Sequence, residues 1–162
     1  ELFLTLPQNR RTVPDLSQGY ALVSSQLFGL PVRMVEDGAL VFNPGVEWTG
    51  GGLYNNPQDL VRWAKRLYEG EAFAFPYLEE LLGSVATAGF AEGAPVYGLG
   101  VMIADGEWGV GYGHGGFFPG YNSQIRYYPD LGIAVALQIN TDQSMGANHI
   151  ETLTRVVAET FR

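Results

Sequence analysis

The stretch Gly111-Tyr-Gly-His-Gly-Gly-Phe-Phe-Pro-Gly120 sets five glycines around one histidine, in a chain that has only two histidines. Glycine inside a strand or turn carries an entropic cost, and it marks a place where backbone comes close to something. That something is either another piece of the protein or a reacting molecule. An imidazole at such a place can hold or pass a proton. On residue types alone, two readings of His114 weigh equally: a strand-end histidine hydrogen-bonded in a glycine-rich turn, and a histidine lining a cleft. The second histidine, His149, falls in the C-terminal region and reads as solvent-facing. The chain has no cysteine, which excludes disulfides and thiol chemistry. No His, Asp and Glu cluster has metal-ligand spacing, so neither a metal nor another cofactor is expected.

The elements that would carry these residues can be read from periodicity. Residues 1–56 are rich in loop signals: Pro7, Pro14, Gly29, Pro31, Gly38, Pro44 and the run Gly50-Gly51-Gly52. Short strands are expected at Gly19–Ser24 and Ala39–Phe42. Asn56 suits a helix N-cap, Pro57 the first helical position, and Asp59 the positive end of the helix dipole. Leu60, Trp63, Ala64 and Leu67 then recur at helical spacing, with Trp63 read as core, and Gly70 can end the helix. A second helix is expected over Tyr77–Leu82. From Tyr97 the pattern changes to strands, with Ala104-Asp105-Gly106 as a turn. Tyr121–Tyr128 alternates, Pro129–Gly132 turns, and Ile133–Ile139 is almost wholly apolar, as in a strand buried on both faces. Ser144–Phe161 keeps Ile150, Leu153, Val156, Val157 and Phe161 on one face, which predicts a C-terminal helix lying on the sheet. The expected class is α+β: an antiparallel sheet, three strands of it plainly visible, flanked by helices.

Composition narrows the partners. At 162 residues and 46 % hydrophobic content the chain can build a core. Its charged residues are 16 %, against about 25 % in an ordinary soluble domain. That deficit points to surface covered by another part of a larger protein. The formal net charge is −8 with no basic stripe, which argues against nucleic-acid binding. No apolar run approaches the ~18 residues needed to span a membrane. The start, Glu1-Leu-Phe-Leu-Thr-Leu-Pro-Gln-Asn-Arg-Arg11, lacks the order of a signal peptide and an initiator methionine, so the chain reads as cut from something longer.

Three blocks in order carry a family resemblance: Gly51-Gly-Leu-Tyr-Asn-Asn-Pro-Gln-Asp-Leu-Val-Arg-Trp-Ala-Lys-Arg-Leu-Tyr-Glu-Gly70, Tyr97-Gly-Leu-Gly-Val-Met-Ile103, and Gly113 through Asn140. The chain resembles the C-terminal half of the serine beta-lactamase-like hydrolases, which include class C beta-lactamases, DD-peptidases, esterases and D-aminopeptidases. The resemblance implies a partial beta-lactamase-like domain over residues 1–162. That family uses a serine in an S-x-x-K motif, a Y-x-N or S-x-N motif, and a K-T-G or H-x-G motif on the strand edging the active site. The last corresponds to His114-Gly115-Gly116. None of the serines has lysine three positions later; Ser123, with Arg126, comes nearest. Tyr54-Asn55-Asn56 matches Y-x-N as a string, but helix capping by Asn56 explains it better.

On the resemblance, His114 stands where the lysine of K-T-G would be and hydrogen-bonds the catalytic network or substrate. Gly115 and Gly116 leave room for an acyl group, and the backbone N–H of Phe117 is an oxyanion donor. Phe118 and Tyr121 either shape a substrate pocket or fill core. Histidine is largely uncharged at neutral pH, which favours ester or amide chemistry over a carboxylate-bearing beta-lactam. The implied function is the C-terminal portion of a serine hydrolase working through an acyl-serine intermediate, with a small-molecule or peptide substrate. This chain by itself is expected to be inactive for want of the nucleophile. The competing reading is a non-catalytic binding module descended from the family. In either case the strands are expected to pair with an N-terminal half or to self-associate.

Overall fold

The computed structural model describes residues 12–51, 53–73, 76–83, 96–143 and 149–160. The chain is α+β and divides into two compact units. The first takes residues 1–56, 116–123 and 138–146; the second takes 57–115, 124–137 and 147–162.

In the first unit, Gly19–Ser24 does not form the expected strand. Tyr20 makes only isolated bridges, to Arg33 and to Thr141, and helix α1 (Ser24–Phe28) begins at once. The cause lies far along the chain. The buried carboxylate of Asp142 accepts the N–H of Val23 and of Ser24, each at 2.8 Å, and so holds donors that a helix start leaves without intrahelical partners. Gly29, at φ 67°, closes α1 in the left-handed region. Strands β1 (Val35–Glu36) and β2 (Ala39–Leu40) pair antiparallel, the latter within the strand expected at Ala39–Phe42. A 3-10 helix over Pro44–Gly50 follows, kinked at Trp48 (φ 45°). Ala21, Met34 and Leu40 form the core of this unit, flanked by Val13, Leu16, Val35, Val41, Phe42 and Tyr121. The backbone N–H of Tyr20 reaches the carbonyls of Asn140 (3.0 Å) and Gly120 (3.3 Å), and the Asn140 side chain donates to Gln18 O (2.9 Å).

In the second unit, helix α2 (Pro57–Tyr68) starts at the expected proline with Asp59 in its first turn. Its end is a Schellman motif: Gly70, at φ 82°, donates to Leu67 O, and Glu71 donates to Arg66 O. Ala64 is its buried residue, whereas Trp63 is 36 % exposed and sits on the shoulder of the apolar stripe rather than in the core. Helix α3 covers Tyr77–Leu82, as expected. Helix α4 (His149–Thr160) buries Ile150, Thr154 and Ala158, leaves His149 exposed, and ties Arg155 to Glu107 at 2.8 Å. Phe161 lies outside the described residues.

Among the described residues the sheet has five strands in sequential order: β3 (Val96–Tyr97), β4 (Met102–Gly106), β5 (Gly109–Phe118), β6 (Tyr121–Tyr128) and β7 (Ile133–Ile139). This is wider than the three strands legible in the pattern. The turn between β4 and β5 is Glu107-Trp108, not Ala104-Asp105-Gly106, because pairing continues to Gly106↔Gly109. Strand β7 ends the order, and Val135 is its one buried residue, the others being half-buried. Among the described residues no strand lies beyond β7, and its side chains are less buried than the two-sided burial its apolar run suggests.

Candidate functional site

Strand β5 carries the glycine-histidine segment, and its neighbour β6 explains most of the glycines. A Cβ on Gly111 would meet the Arg126 side chain at 2.6 Å; one on Gly113 would run into the Ile125 carbonyl; one on Gly116 would strike the Ser123 hydroxyl. At these three positions the close approach is to the protein itself.

The other edge of β5 is different. Its register with β4 runs from Gly106↔Gly109 to Met102↔Gly113 and stops there. A two-residue hairpin loop is bracketed by a hydrogen-bonded pair, and such pairs alternate along an antiparallel ladder. Gly109, Gly111 and Gly113 therefore turn their N–H and C=O towards β4, and alternation directs those of Gly115 and Phe117 to the same side of the strand. The second hairpin agrees: Phe118 and Tyr121 bracket the loop Pro119-Gly120, which assigns Phe118 and the even-numbered residues before it to the β6 side. Residues His114 to Phe117 are all exposed, Phe117 to 54 %.

His114 belongs to the second unit, and both its ring nitrogens are engaged there. Nδ1 lies against the carbonyl oxygen of Gly115. A carbonyl only accepts, so Nδ1 carries the proton. In the neutral ring Nε2 is then the lone-pair nitrogen, and the Tyr97 hydroxyl, 2.7 Å away, donates to it. The two rings meet edge to face, centroids 5.6 Å apart at 73°. Tyr97 is the site residue that the sequence pattern left unnoticed. It opens the block Tyr97-Gly-Leu-Gly, but only the pairings Tyr97↔Met102 and Met102↔Gly113 bring it beside His114. A residue's strand-to-strand register is not readable from its own spacing.

Phe118 and Tyr121 pack in the first unit. Phe118 stacks on Phe42 with centroids 4.9 Å apart, and Tyr121 lies 6.3 Å from Phe118. The Tyr121 hydroxyl donates to Ser17 O at 2.7 Å, and burial pushes its phenol pKa up. Asn55 of the Tyr54-Asn55-Asn56 string accepts from Gln138 at 2.6 Å, anchoring the loop before α2. The chain's one lysine, Lys65, bonds Glu69, the residue that follows its own helix, and Gly132 O, so it is held at the helix surface. Among the described residues no group of His, Cys, Asp and Glu is disposed to hold a metal. No helix among them is long and apolar enough to cross a membrane.

A model of the beta-lactamase family matches residues 6–159. No curated protein matches the chain. Among solved structures it is similar to a D-stereospecific amidohydrolase from Streptomyces sp., at 26 % identity and TM-score 0.69, over 85 % of this chain and 39 % of that one. It is similar to a D-amino acid amidase from Ochrobactrum anthropi SV3, crystallised with L-phenylalanine amide, at 21 % identity and TM-score 0.61, over 89 % and 41 %. A penicillin-binding protein from Bacillus halodurans aligns at 23 % identity and TM-score 0.58, over 90 % and 41 %. The chain thus spans about two-fifths of the length of these proteins. The latter two likenesses speak to the fold.

Proposed function

Since the chain belongs to the beta-lactamase family, we propose that it forms one wall of the acyl-transfer cleft of a serine hydrolase cleaving an amide or ester. A serine oxygen would attack the substrate carbonyl, the amine or alcohol would leave with a proton, and water would release the acyl group from the serine. The observation that carries this reading is the exposed edge of β5 from His114 to Phe117, beyond the last β4 pairing at Gly113. There the Phe117 N–H is the oxyanion donor, and Gly115 and Gly116 keep the edge free of side chains. Histidine in place of a permanently charged lysine favours amide or ester substrates over carboxylate-bearing beta-lactams, in keeping with the likeness to an amidohydrolase.

The nucleophile is the part this chain does not supply, since no serine in it precedes a lysine by three positions. That same observation favours the second reading, a binding module without catalysis. One set of assays separates them. The purified chain is expected to turn over neither a nitrophenyl ester, nor nitrocefin, nor a D-amino acid amide. The product of the complete coding sequence is expected to turn over at least one. In that product Phe117→Pro, which removes the N–H, should cost about 10²–10³ in kcat. Turnover by the purified chain itself, or an upstream sequence without S-x-x-K followed by Y-x-N or S-x-N, overturns the proposal. Exposed apolar residues such as Leu27 and Phe28, each 68 % accessible, support pairing with a partner segment or a second copy of the chain.

A further inference from the structure

We propose that Tyr97 is the positioning residue of His114, holding the imidazole in one tautomer and one orientation on the β5 edge. The argument is a count of donors and acceptors. A neutral imidazole has one N–H and one lone pair in the ring plane. The Gly115 carbonyl takes the N–H at Nδ1, and the Tyr97 hydroxyl fills the lone pair at Nε2. The ring therefore has neither left for a ligand while both bonds stand. The polar atom this pair still offers is the Tyr97 oxygen, which keeps acceptor capacity after donating its proton.

Geometry reinforces the assignment. Gly115 follows His114 directly, so its carbonyl alone would fix Nδ1 yet leave the far end of the ring unheld. Tyr97 supplies that second point from a different strand. Its own position is set by the antiparallel pairing with Met102, which in turn pairs with Gly113, the residue before His114. With the ring's covalent attachment through Cβ as a third point, these two points fix its plane. The catalytic part of this role rests on the cleft reading above. The tautomer does not, and it can be read without any activity.

The test is two-bond ¹H–¹⁵N correlation spectroscopy of the imidazoles of the purified chain, at mildly alkaline pH. With His149→Gln only one imidazole remains, so no assignment is needed. Nδ1 should show as the protonated nitrogen and Nε2 as the lone-pair nitrogen, with that tautomer in about tenfold excess or more. In Tyr97→Phe the excess should fall by about tenfold, as one hydrogen bond to the favoured tautomer is lost. A dominant Nε2–H form in the parent chain, or an unchanged ratio in Tyr97→Phe, overturns the proposal. The parent spectrum stands as a test even if Tyr97→Phe fails to fold. A correct tautomer in a complete protein that turns over no substrate sinks the cleft reading and leaves this one standing.

Discussion

Replacing Asp142 by asparagine should weaken the first unit at a contact made across more than a hundred positions. The residue is 3 % exposed. Its two carboxylate oxygens take the N–H groups of Val23 and Ser24, more than a hundred positions earlier, each at 2.8 Å. Burial pushes the Asp142 carboxyl up. The bonds from Ser24, Val23 and Gly120 outweigh that and hold it below the usual carboxylate range. Asparagine keeps one acceptor oxygen and turns an NH₂ towards the other N–H. One charge-assisted bond is lost and a buried donor is left facing another, a cost of about 2 kcal/mol. For a chain of this size that lowers Tm by about 4–8 °C. The assay is thermal unfolding followed by circular dichroism from neutral to acid pH. The sign follows from the depressed pKa. The ionised carboxylate's contribution is present above its unfolded value, about 3.9, and fades as pH falls through the lower folded value. The two proteins should therefore differ at pH 7 and converge in acid. Equal Tm at pH 7, or a gap that does not narrow as the pH is taken below the unfolded value, would refute the role given to this carboxylate.

Three other outcomes are expected. Tyr68 and Tyr127 titrate at about 12: burial raises both, and the Glu69 carboxylate that accepts from Tyr127 at 3.0 Å raises the latter further. Their neutral forms thus stabilise the fold below about pH 10, and that support is lost as pH rises towards 12; an ultraviolet titration in which all tyrosines ionise together near 10 would contradict this. Gly113→Ala drives a methyl into the Ile125 carbonyl and should cost about 1–3 kcal/mol in urea unfolding, where an unchanged midpoint would show that β6 yields freely. Sedimentation velocity should show concentration-dependent self-association, with binding of a hydrophobic dye; a strict monomer that binds no dye would refute the pairing proposed for the exposed apolar surface.

Local signals in the sequence were reliable where local forces decide. The Pro57 start and Gly70 end of α2, and the whole of α3, depend on helix termini and periodicity, and all were legible. Elements settled by distant partners were not. Residues 19–24 look like a strand, but Asp142 holds the N–H groups that start α1. Ala104-Asp105-Gly106 has turn composition, yet Gly106 still pairs with Gly109, so the chain reverses two residues later. The apolar run of β7 has the composition of a strand buried on both faces, yet among the described residues it is last in the sheet order and only Val135 in it is buried. At the site, His114 stood out by its surroundings of glycine, while Tyr97 acquires its meaning through two strand registers. The glycines were half-legible. Their number announced a close approach, and the structure attributes it at Gly111, Gly113 and Gly116 to strand β6.

The scattered make-up of the first unit bears on how the protein is made. Its pieces are residues 1–56, 116–123 and 138–146, and Tyr20 is clasped by the second and third of them. A nascent chain that has just emerged through residue 56 lacks both clasps. At translation rates of about 5–20 residues/s this segment waits on the order of 10 s for them. During that wait the core of Ala21, Met34 and Leu40 also lacks Tyr121, which packs against it in the finished unit.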